Sequence, residues 1–215
     1  MLSLITLLQG IGLAYAAGLN LYATIAALGI AGSAGMIQLP PDLLILTHPL
    51  VIGVACLMYV VEFFADKVPL VDSGWDVLHT FIRIPAGAIL AARAVGNVNP
   101  ALELAALLAG GTIAFAAHGT KATLRLAINA SPEPFSNWAA SVSEDVAAFG
   151  GVWLAFQHPV WMIILVLAFT AFAAWLLPRL FRLAKRGFQA LRTRFRGEPS
   201  GHLPNPPSPT SMSLH

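Results

Sequence analysis

Apolar residues run almost without interruption over residues 5–31, 45–65, 76–95, 101–126, 139–156 and 158–178. Each run approaches or exceeds the roughly 20 residues an α-helix needs to cross about 30 Å of hydrocarbon. The pattern therefore predicts an all-α, polytopic transmembrane helix bundle of about six spans. The breaks between runs are short and rich in turn residues: Leu39-Pro40-Pro41-Asp42, Gly96-Asn97-Val98-Asn99-Pro100 and Gln157-His158-Pro159. Proline suits a helix start, because the amide hydrogen it lacks is one the first turn does not use. The first run contains Ala14-Tyr15-Ala16, which resembles a signal-peptidase site. It lacks a basic start and stays apolar past residue 16, so it reads as a retained span.

Composition agrees with this reading. Of the 215 residues, 57% are hydrophobic and 10% charged, with mean hydropathy +0.75, against about 25% charged in a typical soluble domain. Three regions are expected: a transmembrane domain over 1–178, a basic juxtamembrane segment over 179–196 and a disordered Pro/Ser-rich tail over 197–215. Seven of the twelve Lys and Arg residues fall between Arg179 and Arg196. The positive-inside rule then places the C-terminus in the cytoplasm, and six spans place the N-terminus there too. Leu180, Phe181, Ala184, Phe188, Leu191 and Phe195 alternate with these arginines at helical spacing, which predicts an amphipathic helix on an anionic leaflet. Cys56 stands alone, so neither an intrachain disulfide nor a thiolate metal site can form. No phosphate-binding Gly-rich loop, His-Glu-x-x-His motif or nucleic-acid module is present, which leaves an ATP-driven pump, a zinc protease and a nucleic-acid partner without support.

Two breaks carry a repeat. Pro69-Leu-Val-Asp-Ser73-Gly-Trp75 and Pro132-Glu-Pro-Phe-Ser136-Asn-Trp138 share Pro-x-x-x-Ser-x-Trp, 63 residues apart, each joining one span to the next. Two helical hairpins related by an axis along the membrane normal, spans 2–3 and 4–5, would produce this, as in transporters built from parallel repeats. A slide of 63 sets Glu62 on Arg125, with Asp66 and Lys121 one turn away, so Glu62 and Arg125 are the expected partners. Asp76, His79 and Arg83 form a stripe on the next helix, while Ser141, Glu144 and Asp145 occupy the matching part of span 5. Arg83 slides onto Val146, beside Asp145. With His118, the charged set comprises Glu62, Asp66, Asp76, His79, Arg83, Lys121, Arg125, Glu144 and Asp145, all toward the cytoplasmic half.

An ionised side chain near the bilayer centre costs roughly 2.5–3.5 kcal/mol on insertion scales, so such residues pair or line a polar cavity. Structural roles compete with a binding role. Ser73-Gly-Trp-Asp76 and Ser141-Val-Ser-Glu144 fit the Ser-x-x-acid capping box, and Trp75 and Trp138 suit an interfacial belt. Asn20, in Gly18-Leu-Asn20-Leu-Tyr-Ala-Thr24, requires a partner in mid-span; Gly18 either admits a close backbone neighbour or lets the helix open toward a substrate. His48-Pro49 and His158-Pro159 open spans on the opposite side and read as helix starts before metal or proton ligands.

The blocks Gly18-Leu-Asn-Leu-Tyr-Ala-Thr24, Val61-Glu-Phe-Phe-Ala-Asp-Lys-Val-Pro69 running through Asp72, Trp75, Asp76, His79 and Arg83, and His118-Gly-Thr-Lys-Ala122 through Arg125 to Asn129, Ser131-Pro132 and Asn137 together resemble a bacterial family of small integral membrane proteins, a domain of unknown function. The resemblance covers roughly residues 5–178 and implies a multi-span protein of the bacterial inner membrane. It implies no activity, cofactor or site.

Three functions fit these residues. One is a secondary transporter or ion-coupled permease, with carboxylates taking a cation or proton and Arg83, Lys121 and Arg125 an anionic group. Another is a membrane-embedded lipid or isoprenoid enzyme using His79 or His118 beside Asp76. The third is a non-catalytic scaffold. Charges of both signs in two related halves favour transport. The expected partners are the lipid bilayer and a small ion or anionic solute, with a homo-oligomer left open and no cofactor or metal expected.

Overall fold

The structure, a computed structural model, describes residues 2–96, 99–129 and 134–195, and all of its regular elements there are helical. In order they are α1 (Leu2–Leu19), α2 (Leu21–Ser33), a 3-10 segment (Pro41–Thr47), α3 (Pro49–Ala65), α4 (Pro69–Val95), α5 (Pro100–Asn129), α6 (Pro134–Gln157) and α7 (Pro159–Phe195). Two units are distinguished, Met1–Leu177 and Pro178–His215. The first is a helical bundle; in the second, α7 continues to Phe195. The Pro/Ser-rich tail over 197–215 and most of the side chains behind the amphipathic reading of 179–196 lie outside the described residues.

Proline punctuates the bundle as its chemistry dictates. Helices α3 to α7 all begin on proline, where its fixed φ is already helical and its missing donor is not needed. The first Pro-Ser-Trp segment is consequently the opening of α4 and not a loop. In the second copy, Ser136 and Trp138 lie in the first turns of α6, while Pro132 is outside the described residues. This removes the capping boxes: Val68 is the N-cap of α4, and Ser73, Asp76, Ser141 and Glu144 all lie inside helices.

The first apolar run behaves differently from the expected span. Asn20 is extended (φ −146°, ψ 103°), and the chain reverses there. Helix α1 runs antiparallel to α4: Gly10 faces Ala91 and Ala94, Gly18 faces Ala114 and Ala117 of α5, and the Leu19 carbonyl reaches Arg83. From Tyr22 beside His79, α2 then climbs back, bringing Gly29 to Leu46 and Ile52 and Gly32 to Leu39 and Thr47. Both outer ends of this hairpin meet at one end of the bundle, where Ile5, Gln9, Met36, Pro40, Val95 and Gln157 line a cavity of about 850 Å³. The start of α1 is therefore opposite the α3–α4 turn, not beside it as an N-terminus on the side of the Pro-Ser-Trp segments required. Helices α3 to α6 pass up and down the bundle in alternation.

Helix α1 forms the centre. Leu13, Ala14, Ala16 and Ala17 are fully buried, and α4, α5 and α6 surround the helix, with Met162 and Val166 of α7 in the same core. Large apolar side chains such as Phe81, Phe115, Leu126 and Trp161 face outward, whereas Glu62, Arg83, Lys121 and Arg125 are buried. That inversion suits an apolar solvent. Three stretches, Gly74–Val95, Pro100–Ile128 and Pro159–Arg179, are long and apolar enough to cross a membrane. The 3-10 segment with α3, bent by 67°, makes a fourth if taken as one span.

The hairpin makes a topological prediction. In a Cys56→Ala background in spheroplasts, Leu4→Cys and Met36→Cys should react with an impermeant maleimide from the same face, and Phe135→Cys from the other. Labelling of residues 4 and 36 from opposite faces would restore the single span.

Candidate functional site

The half of the bundle toward the α3–α4 turn gathers the ten residues of the charged set and Asn20. Helix α3 supplies Glu62 and, one turn on, Asp66. Helix α4 supplies Asp76, His79 and Arg83, and α5 supplies His118, Lys121 and Arg125. Glu144 and Asp145 come from α6, and Asn20 from the hairpin tip.

The pairing differs from the one the repeat implied. Glu62 Oε1 accepts from Arg83 Nη2 and lies 3.4 Å from Lys121 Nζ. Arg125 Nη2 donates instead to Asp66 Oδ2 at 3.1 Å and Glu144 Oε2 at 2.7 Å, and its Nε donates to Glu144 Oε1 at 3.0 Å. Lys121 Nζ also approaches Glu144 Oε2 at 3.2 Å and Asp66 Oδ2 at 3.6 Å. Between α3 and α5 the pairs are thus 59 residues apart, not 63. Both helices run in the same direction, so Glu62 meets Lys121 and Asp66 meets Arg125 at successive turns; the repeat's register is off by one turn. The expected approach of Arg83 to the Asp145 region does not occur either, and Val146 is exposed.

Asp145 belongs to the hairpin tip. Asn20 Nδ2 donates to Asp145 Oδ1 at 3.0 Å, and Tyr59 Oη donates to Oδ2 at 3.1 Å. The same Asn20 caps α2, its Oδ1 accepting from the Ala23 amide at 3.0 Å, which satisfies one of the helix's orphan donors. On the other side of the break, the Leu19 carbonyl accepts from Arg83 Nη1 at 3.1 Å. The helix is thus interrupted at Asn20, and Gly18 admits the α5 backbone.

Hydrogen-bond partners assign the histidines. His79 Nδ1 lies 2.8 Å from the Trp75 carbonyl, to which it donates, leaving Nε2 to accept from Tyr22 Oη at 3.1 Å. His118 Nε2 is 3.1 Å from the Asp76 carbonyl and must carry the proton, while Nδ1 faces Arg83 Nη1 at 3.3 Å and accepts. In this arrangement the His118 ring, accepting at Nδ1 from a guanidinium, is neutral.

Several participants were not among the expected site residues. Asp72 is fully buried, with Oδ1 3.9 Å from Arg125 Nη1. Its spacing of four residues before Asp76 extends the Asp76-His79-Arg83 stripe and was the available signal. Asn137 accepts from Arg125 through Oδ1 at 2.8 Å, and Lys67 donates to Ser141 Oγ at 2.9 Å with its ammonium over the Phe63 ring. Tyr22 and Tyr59 carry no sequence signal, since only the fold aims their hydroxyls inward. Trp138 is exposed as an interfacial residue would be, whereas Trp75 stacks on His79 at 4.6 Å. His48 caps α3 through Nδ1, and His158 packs on Trp153. Among the described residues no group of three or more His, Cys, Asp or Glu is arranged to hold a metal ion.

Six carboxylates therefore meet four cations here: Glu62, Asp66, Asp72, Asp76, Glu144 and Asp145 against Lys67, Arg83, Lys121 and Arg125. Glu62 Oε2, Asp66 Oδ1 and both oxygens of Asp76 are buried without a hydrogen-bond partner. Residues 7–179 match a family model described as Domain of unknown function (DUF4126). Neither a curated protein nor a solved structure gives a significant match.

Proposed function

Since the chain belongs to this family of unknown function, we propose an activity from the site itself: a small integral-membrane secondary transporter or ion-coupled permease whose buried acidic cluster handles a small cation or proton. The observation that carries this reading is the hairpin tip. Asn20 and the Leu19 carbonyl bring a broken helix directly onto the buried ionisable residues Asp145 and Arg83, and discontinuous helices ending at midplane charges are how transporters build ion sites. A bundle held by apolar packing has no need of such a cluster, because each buried charge carries a desolvation cost.

The anionic-solute version loses support. Arg83, Lys121 and Arg125 already meet protein carboxylates, so an incoming anion would have to displace them. An enzyme using His79 or His118 as a base is also disfavoured, since each ring nitrogen already faces a protein partner. The scaffold reading draws on the same ion pairs and is the competitor to be tested. The seven Lys and Arg residues between Arg179 and Arg196 support a cytoplasmic C-terminus in a bacterial inner membrane by the positive-inside rule; with the charged end on that side, the start of α1 faces outward.

In proteoliposomes, an imposed proton or monovalent-cation gradient should drive flux through the purified protein, and Asn20→Ala should reduce it at least tenfold while the protein remains folded. Absence of flux under every imposed gradient would leave the scaffold.

A further inference from the structure

The charge inequality can be assigned to particular residues. Five of the six carboxylates have a cation within 4 Å: Glu62 has Arg83 and Lys121, Asp66 and Glu144 each have Lys121 and Arg125, Asp72 has Arg125 at 3.9 Å, and Asp76 has Arg83 at 3.6 Å. Two are different. Asp76 is buried with both carboxylate oxygens unbonded, and its nearest cationic atom, Arg83 Nη1, stands 3.6 Å away and already donates to Leu19. Asp145 receives only neutral donors, Asn20 and Tyr59. We infer that the cluster binds two exchangeable protons, one on Asp76 and one on Asp145, and that these are the ions the site handles.

Surroundings explain why protons satisfy the site. Two uncompensated negative charges in a low-dielectric bundle are expensive, and a group so placed neutralises by taking a proton. Asp76 faces Asp72 and Arg83 on its own helix, Lys121 from α5 and Glu144 from α6; its backbone carbonyl meets His118 of α5, and Arg83 in turn holds Glu62 of α3, with His79 and Tyr22 of α2 beyond. Asp145 faces Tyr59 and Glu62 from α3, Lys121 from α5 and Asn20 at the tip, with Lys67 and Glu144 in the same electrostatic neighbourhood. Lys67, which donates to Ser141 Oγ and lies over the Phe63 ring, forms no ion pair with either acid, and even with it counted the six carboxylates outnumber the four cations by two. A metal ion is the poorer occupant, because the described carboxylates do not converge as a coordination shell.

Each step is a simple acid–base exchange: an O–H bond of a hydronium ion breaks as one forms on the carboxylate, leaving a neutral carboxylic acid and a water molecule. Its consequence falls on the hairpin. An ionised Asp145 holds Asn20 by a charge-assisted hydrogen bond, roughly twice as strong as the neutral one left after protonation. Proton uptake at Asp145 thus loosens the tip from α6, and release tightens it. Protonation of Asp76 leaves Arg83 with Glu62 as its one ionised partner.

This inference rests on the proposed cation-handling site, yet protonation can be read without transport. Infrared spectra of the protein in lipid nanodiscs at neutral pH should show a protonated-carboxyl band that shifts with ¹³C-aspartate labelling and not with ¹³C-glutamate labelling. Asp76→Asn and Asp145→Asn should each remove part of it and the double variant all of it, and the labelling result stands even where a variant fails to fold. A missing band, a band that shifts with glutamate labelling, one that survives the double variant, or thermal stabilisation by Na⁺ or K⁺ lost in these variants would overturn the assignment. A band present without flux defeats the transporter alone, whereas flux without a band defeats the protons alone.

Discussion

Glu62→Gln should lower the unfolding free energy of the purified protein by about 3–5 kcal/mol, and Arg83→Gln by a similar amount. Both side chains are fully buried and hydrogen-bonded to each other. Removing the Glu62 charge leaves Arg83, and Lys121 at 3.4 Å, facing a neutral amide; removing Arg83 leaves Glu62 with Lys121 alone and takes a donor from the Leu19 carbonyl at the hairpin tip. Because the two losses share one interaction, the double variant should lose much less than their sum. Glu62→Gln with Arg125→Gln should come far closer to additive, since these residues make no direct bond and communicate only through Lys121, Asp66 and Glu144. Chemical or thermal unfolding in detergent measures both cycles. Stronger coupling of Glu62 to Arg125 than to Arg83 would contradict the pairing and return the register of the repeat.

Gly18→Val should be about as damaging, by roughly 3 kcal/mol or more. A Cβ at residue 18 would lie 2.7 Å from the Ala114 carbonyl oxygen and 2.8 Å from Ala117 Cβ. Neither neighbour is a flexible side-chain end, so α1 would have to lift away from α5. Overpacking alone costs about 1–3 kcal/mol. Displacing the adjacent Leu19 also weakens its bond from Arg83, and a hydrogen bond to a charged group contributes about 1.5–3 kcal/mol. Gly119→Ala, on the same helix as Ala114 with nothing within 4 Å of its Cβ position, should be neutral or up to about 1 kcal/mol more stable from helix propensity. Unfolding of both variants under one condition separates docking from propensity; a tolerated valine at residue 18 would mean that the hairpin tip does not sit against α5.

How far the site was legible follows from the range of each signal. Stripes along one helix are local, so Asp76, His79 and Arg83 could be placed on one face by spacing alone, and Asp72 belonged with them by the same rule. Partners across helices depend on how far one helix is shifted along another. A slide of 63 compares sequence positions, but the side chains of α3 and α5 meet at an offset of 59, because docking depth is set by packing around α1 and not by the length of the repeat. The capping-box match failed for a related reason: a Ser-x-x-acid pattern caps only where a helix begins, and Pro69 and Pro134 had already begun these helices.

By itself the sequence determined an all-helical bundle, the proline starts of α3, α5 and α7, an apolar exterior and a charged set confined to one half. These follow from composition and short-range periodicity, which a low-dielectric surrounding and a missing amide hydrogen translate directly into structure. Only the tertiary structure decided that the first apolar run turns back at Asn20, which carboxylate meets which cation, and which two acids are left without full compensation. A hairpin that re-enters the bundle is as apolar as a helix that crosses it, so hydropathy cannot separate them. The difference lies in the extended backbone of one residue and in the partners, Asp145 and Arg83, that distant segments bring to hold it there.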